Sequence, residues 1–199
     1  IGTLLAFDCY LRVSELVGLR YCDVVMPGDP RAGSAHQGMA LRLAVTKTGP
    51  NQWVSLARDE VAQTLLTYLR AFPFLRDSPV FPFTPSSFRL LLHQVAESVG
   101  LGAIPYVPHS LRHGGATCDY LRGATIEQIM FRGRWVSMES ARRYIQTALA
   151  LLLVQDIPRH LHETGLLLAS QIADIISFLL DTVPVLRPVA TGRRIRFRL

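Results

Sequence analysis

The sequence predicts an α+β fold, mostly helical, with one small antiparallel β-hairpin or sheet, and three observations point to it. Apolar residues recur at helical spacing through most of the chain. Only residues 39–56 carry the alternation and turn chemistry of paired strands. With 199 residues, 49% of them hydrophobic, the chain is long enough to bury one sizeable core, which disfavours a disordered tail or a coiled coil.

Residues 1–21 place Leu4, Leu5, Leu11, Val13, Leu16, Val17 and Leu19 at mostly helical spacing, and Asp23 with the segment Met26-Pro27-Gly28-Asp29-Pro30 ends the run. The pattern Met39 to Val45 is strand-like, and Gln52 to Leu56 supplies a second run across the turn Thr48-Gly49-Pro50-Asn51, with Lys47 beside the hairpin tip. Asp59 to Phe72 reads as an amphipathic helix stopped by Pro73, and Ser86 to Val99 as another, ended by Gly100 and Gly102. Pro79 to Pro85 connects them. Pro108 then introduces a helix over about 109–122, Thr125 to Phe131 forms a short one, and Met138 to Val154 a long one. Residues 159–183 form one more apolar helix or a pair, and Arg193 to Arg198 closes the chain as a basic tail.

The formal charge of +6 favours a polyanionic partner, because cations that neutralise phosphates release condensed counterions. Charge alone does not separate DNA, RNA and an anionic membrane. Twenty of the 21 basic residues are arginines and one is a lysine, Lys47, which makes its position worth examining. Cys9, Cys22 and Cys118 are an odd number without CxxC or metal-ligand spacing, so they fit thiols in a reducing, intracellular compartment. The apolar stretches 147–154 and 165–180 read as core helices rather than membrane spans: the first is short, and the second contains Gln171 and Asp174. The chain begins at Ile1 with residues that already look helical, which leads us to expect an upstream part.

Candidate chemistry lies in five segments. In His109-Ser110-Leu111-Arg112-His113, positions three and four apart share a helix face, so His109, Arg112 and His113 can project together near a helix N-terminus that attracts phosphate. The alternative is a solvated polar face. Arg12 lies one turn before Glu15, which can hold its guanidinium in one orientation, although surface pairs of this kind are common. Two planar guanidinium forks suit the charge that a phosphoryl transition state spreads over its oxygens. Lys47 sits in Val45-Thr46-Lys47-Thr48-Gly49, where a solubilising role competes with general-acid chemistry, since an ammonium can release a proton to a leaving oxygen and a guanidinium effectively cannot.

Tyr144, in Ser140-Ala141-Arg142-Arg143-Tyr144-Ile145-Gln146, falls on the long helix or at its start. An isolated tyrosine most often packs with a wet hydroxyl. It becomes a nucleophile where cations favour phenolate or a base removes its proton. Trp135, nine residues earlier, can donate its indole N–H to a phosphate oxygen or simply fill core. A carboxylate cluster for Mg²⁺, a Walker loop, a Gly-x-Ser-x-Gly elbow and an HExxH motif are all missing from the sequence. Metal, nucleotide or other cofactor chemistry therefore has no motif behind it.

Taken in order, Arg12 with Glu15-Leu16, Lys47-Thr48-Gly49, His109-Ser110-Leu111-Arg112-His113, Trp135 and Tyr144 resemble the tyrosine recombinase (phage integrase) family over residues 5–147. Tryptophan stands at 135 where that family more often has histidine, and Arg134 where a glycine commonly precedes it.

The resemblance implies a catalytic-domain fold over residues 1–157, a C-terminal helical extension over 158–199, and an N-terminal DNA-clamping domain that this chain does not contain. It also implies that Tyr144 attacks a backbone phosphate of double-stranded DNA to form a 3′-phosphotyrosyl bond. Arg12 and Arg112 would stabilise the non-bridging oxygens, Lys47 would protonate the leaving oxygen, His109 would assist proton transfer, and Trp135 would complete the pocket. Glu15 and His113 would support them.

No nucleotide cofactor, metal or membrane is implied. Self-association on DNA through the C-terminal region is implied, and so is nuclear location in a eukaryotic host or cytoplasmic location otherwise. An origin in a mobile element suits the arginine-rich wording. A non-catalytic DNA-binding relic and a type IB topoisomerase stand as alternatives.

Overall fold

A computed structural model describes residues 1–32, 38–104 and 106–182, so the basic tail expected at Arg193 to Arg198 lies outside the described residues. The amino end forms two short helices where the apolar spacing suggested one, α1 (Gly2–Asp8) and α2 (Val13–Gly18). The break falls at Tyr10, whose φ of 49° is left-handed and cannot continue a helix. Arg12 then restarts the chain in extended backbone, and the Glu15 carboxylate accepts its N–H at 2.9 Å. Periodicity misses this break because Leu5, Leu11, Leu16 and Leu19 are buried on both sides of it.

Three antiparallel strands follow in the order β1 (Val24–Val25), β2 (Ala40–Thr46) and β3 (Gly49–Ser55). Leu41 pairs with Val54 and Thr46 with Gly49, so the turn is the two residues Lys47-Thr48, tighter than expected. Thr46 Oγ1 donates to the Gly49 carbonyl at 2.7 Å and closes it. Strand β1 was not foreseen, since two residues are too few to show alternation.

The helical remainder comprises α3 (Asp59–Ala71), α4 (Pro85–Ser98), α5 (Pro108–Leu121), α6 (Ile126–Gly133), α7 (Met138–Arg142), α8 (Thr147–Asp156), α9 (Arg159–Ser170) and α10 (Ile172–Thr182). Local signals set several starts: Pro85 and Pro108 stand at first-turn positions, and the Thr84 and Thr125 side chains accept backbone N–H groups of Ser87 and Gln128. The long helix expected over 138–154 is two helices, with Tyr144 in the break. There the chain gives up helical bonds for bonds to α5: Thr117 Oγ1 donates to the Tyr144 carbonyl at 3.2 Å and accepts the Gln146 N–H at 3.0 Å.

Leu5, Leu16, Leu41, Leu65, Val80, Phe81 and Phe88 join α1 to α4 and the sheet in the main core. Each fully buried leucine here contributes about 1.5–3 kcal/mol. A second cluster, Tyr10, Ala116, Ile129, Trp135 and Ala141, joins the α1–α2 break to α5, α6 and α7. Gly115 permits this junction, because a Cβ there would stand 2.1 Å from the Phe7 carbonyl oxygen. Helix α10 packs on α3 and buries Leu180, whereas α8 and α9 bury nothing and expose Leu151, Leu152, Leu166 and Leu167. No single helix among the described residues is long and apolar enough to cross a membrane, and α9 and α10 are bent 75° apart.

Candidate active site

Five of the six candidate residues gather where the second cluster meets α2. Helix α5 presents His109 and His113 one turn apart, with ring centroids at 4.9 Å. Tyr144, in the break after α7, stacks on His113 at 4.4 Å, lies 5.4 Å from His109, and meets Trp135 on its other side at 4.6 Å. The tyrosine hydroxyl has no hydrogen-bond partner among the described residues.

Arg112 is fully buried beneath this group. Its guanidinium carbon is 4.5 Å from the Trp135 ring and 5.4 Å from the Tyr144 ring. One terminal nitrogen donates to the Tyr10 carbonyl and the other to the Gly133 carbonyl at 2.6 Å. Among the described residues, four buried nitrogens in this region have no partner: Arg112 Nε, Arg134 Nε, His113 Nδ1 and Trp135 Nε1. Native interiors rarely leave such groups unpaired.

Glu15 ties the second arginine in. Its carboxylate accepts Arg12 at 2.6 Å and Arg134 at 3.0 Å, so one buried anion orients two cations. Arg134 is the residue sequence reasoning passed over. It caps α6 at a φ of 56°, the left-handed turn where a glycine was expected, and turns its guanidinium inward toward Glu15 and the carbonyls of Cys9 and Tyr10. The turn therefore holds with arginine in place. A signal for this was the density of charge in Arg132-Gly133-Arg134 directly before a buried tryptophan.

The electrostatics follow from crowding of cations. Burial lowers the pKa of Arg112, and the nearby Arg12 and Arg134 lower it further against the pull of Glu15. Burial also lowers His109, with Arg112 and Arg12 adding to the effect. His113 is lowered by burial, with His109 and Arg112 adding to the effect and the Tyr144 backbone opposing it. Both imidazoles are thus held toward the neutral form, which can accept a proton.

Lys47 stands apart. It is exposed at the hairpin tip, and no hydrogen bond, ion pair or ring contact joins it to the other five. Between α2 and β2 lies a cleft of about 310 Å³, with Ser14, Glu15, Arg20, Asp23 and Arg42 on its walls and Val45, two residues from Lys47, at its edge.

A second buried network, also missed, braces the site. Asp8 is wholly buried and accepts Arg58 at 2.6 Å, the Ala57 N–H at 3.0 Å and an ion pair from Arg132 at 3.3 Å. Asp119 on α5 accepts Arg58 and the Tyr10 hydroxyl.

The backbone resembles that of solved recombinases. The XerA recombinase structure superposes with a TM-score of 0.57 at 22% identity, over 79% of this chain and 55% of that one. XerH site-specific recombinase bound to difH substrate gives 0.56 at 17% in a pre-cleavage complex, over 76% of this chain and 43% of that one. Its post-cleavage complex on palindromic difH gives 0.55 at 15%, over 73% and 40%. The chain thus spans roughly half the length of these proteins or less, and at these identities the likeness establishes the fold. No family profile and no curated protein sequence matches the chain.

Proposed function

We propose that this chain is the catalytic part of a site-specific DNA recombinase that cuts and rejoins double-stranded DNA through Tyr144. The observation that supports it most is the convergence of Tyr144, His109, His113, Trp135 and Arg112 from three separated segments, with Arg12 linked in through Glu15 and Arg134. A lone tyrosine packed for stability needs no such company of cations.

In the proposed step the Tyr144 oxygen bonds to a backbone phosphorus while the bond to the 5′ oxygen breaks. The phenolic proton passes to a neutral imidazole, His109 being the more exposed, and the leaving oxygen takes a proton from Lys47. Arginine donors stabilise the charge that builds on the non-bridging oxygens. Reversal by a 5′ hydroxyl reseals the strand without ATP, because the phosphodiester energy is held in the phosphotyrosyl bond. Residues 1–157 form the catalytic unit in this reading. The exposed leucines of α8 and α9 supply a self-association surface on DNA, and the chain belongs to a mobile element.

A nicked duplex that loses its short cleaved strand should trap a covalent protein–DNA adduct on denaturing gels, and Tyr144→Phe should abolish it. An adduct that persists in Tyr144→Phe sinks the assignment. One observation favours a second reading, a DNA-binding relic: Arg112 is fully buried and spends its terminal nitrogens on backbone carbonyls. That reading expects salt-sensitive DNA binding and no adduct at all.

A further inference from the structure

Tyr10 lies outside the residues that the strand-transfer reading uses, yet three separate contacts meet on it. Its carbonyl oxygen accepts both Arg112 and, at 3.3 Å, Arg134. Its hydroxyl donates to Asp119, on the same helix as His109 and Arg112. Its ring, wholly buried, lies 5.9 Å from Trp135 and under the guanidinium of Arg132 at 5.5 Å.

The backbone at Tyr10 is left-handed, a conformation unfavourable for a residue with a Cβ. A strained dihedral persists only where the surroundings hold it. Here the surroundings are the hydroxyl anchor to Asp119 and the ring contact with Trp135. The strained turn is also what directs the carbonyl toward the arginines: in a continuous helix that oxygen would accept the N–H four residues on.

We propose, resting on the strand-transfer reading, that Tyr10 is a positioning residue: its side chain, anchored at Asp119, fixes the backbone carbonyl that orients Arg112 and Arg134 for the scissile phosphate. Among the described residues Arg112 has no carboxylate partner of its own, so this carbonyl and that of Gly133 are what define its direction. Tyr10 touches no reacting atom and acts through the guanidinium groups.

Tyr10→Phe removes one oxygen and keeps the ring, and Asp119 retains Arg58 and Arg132 as partners. The probe is a pool of duplexes with randomised flanks and one defined phosphate a few bases from a nick. On the ordinary phosphate, Tyr10→Phe should form the Tyr144 adduct about tenfold more slowly than wild type, at unchanged affinity for the pool, because small misplacements of a catalytic group are costly. On a neutral methylphosphonate at the same position the slowing should largely vanish, since the arginines then have less charge to stabilise.

Equal slowing on both substrates, or none on the phosphate, overturns the proposal and leaves the strand-transfer reading intact. Failure of wild type to form any adduct while binding the pool removes that reading instead, and this inference with it. Should Tyr10→Phe aggregate, Asp119→Asn serves the same comparison, because it weakens the anchor from the other side while Tyr10 keeps its ring and hydroxyl.

Discussion

The guanidinium of Arg112 lies 4.5 Å from the centre of the Trp135 ring, and both side chains are shut away from solvent. A desolvated contact of this kind is worth up to about 2 kcal/mol. Trp135 therefore acts as the wall that keeps a buried cation in place.

Gly133 makes room for that wall. A Cβ at 133 would fall 1.8 Å from Trp135 Cζ3, so Gly133→Ala must push the indole off Arg112. We expect a stability loss of about 1–3 kcal/mol by urea unfolding, together with loss of the DNA adduct. Unchanged stability would show that the ring relocates freely.

Glu15→Gln tests the shared carboxylate. The Arg134 side chain is only 6% exposed and would lose the anionic partner it has among the described residues, and breaking a buried pair costs about 3–5 kcal/mol. Arg134→Met in the same background should recover much of this, because it also removes the stranded charge. If the double variant is no more stable than Glu15→Gln, the pair is not the cause.

Acid should loosen the fold through the histidines. His109 and His113 have pKa values lowered by burial below the ordinary value of about 6.5. Below that value the unfolded chain binds more protons than the folded one, so stability is fully present above it and falls as pH drops toward the folded pKa values. The melting temperature should therefore decline between pH 7 and 5, and the decline should flatten in His109→Gln/His113→Gln. An equal slope in that variant would place the transition elsewhere.

Lys47→Arg keeps the charge and removes the removable proton. Adduct formation on an ordinary phosphodiester should slow on the order of 10²-fold, and a bridging 5′-phosphorothiolate should restore it, because a thiolate leaves without an acid. Full activity of Lys47→Arg on the oxygen ester would refute the assigned role.

Helix positions and the one hairpin were legible because periodicity and proline or threonine starts are local, as at Pro108 and Thr125. The two breaks were not, because each is dictated by a partner far along the chain. Thr117 captures the backbone at Tyr144 from 27 residues away, and Tyr10 is held by Asp119 from a distance of 109. The candidate residues were readable as an ordered set of chemical types, and the fold brings five of the six together. Their supports were less so: Asp8 looks like a stray charge in an apolar helix until Arg58 and Arg132 close over it, and Arg134 looks like a misplaced surface residue until Glu15 is found beneath it.

The bonds from Thr117 to the break at Tyr144 carry a mechanical consequence. One hydroxyl joins the Tyr144 backbone to the same helix that holds His109, Arg112 and His113, so these four travel as a single stiff block whenever that helix shifts. Lys47 rides on a separate arm, the exposed tip of β2 and β3. For the proposed strand transfer, bringing Lys47 and Tyr144 to one phosphate is then a matter of moving that arm against the block.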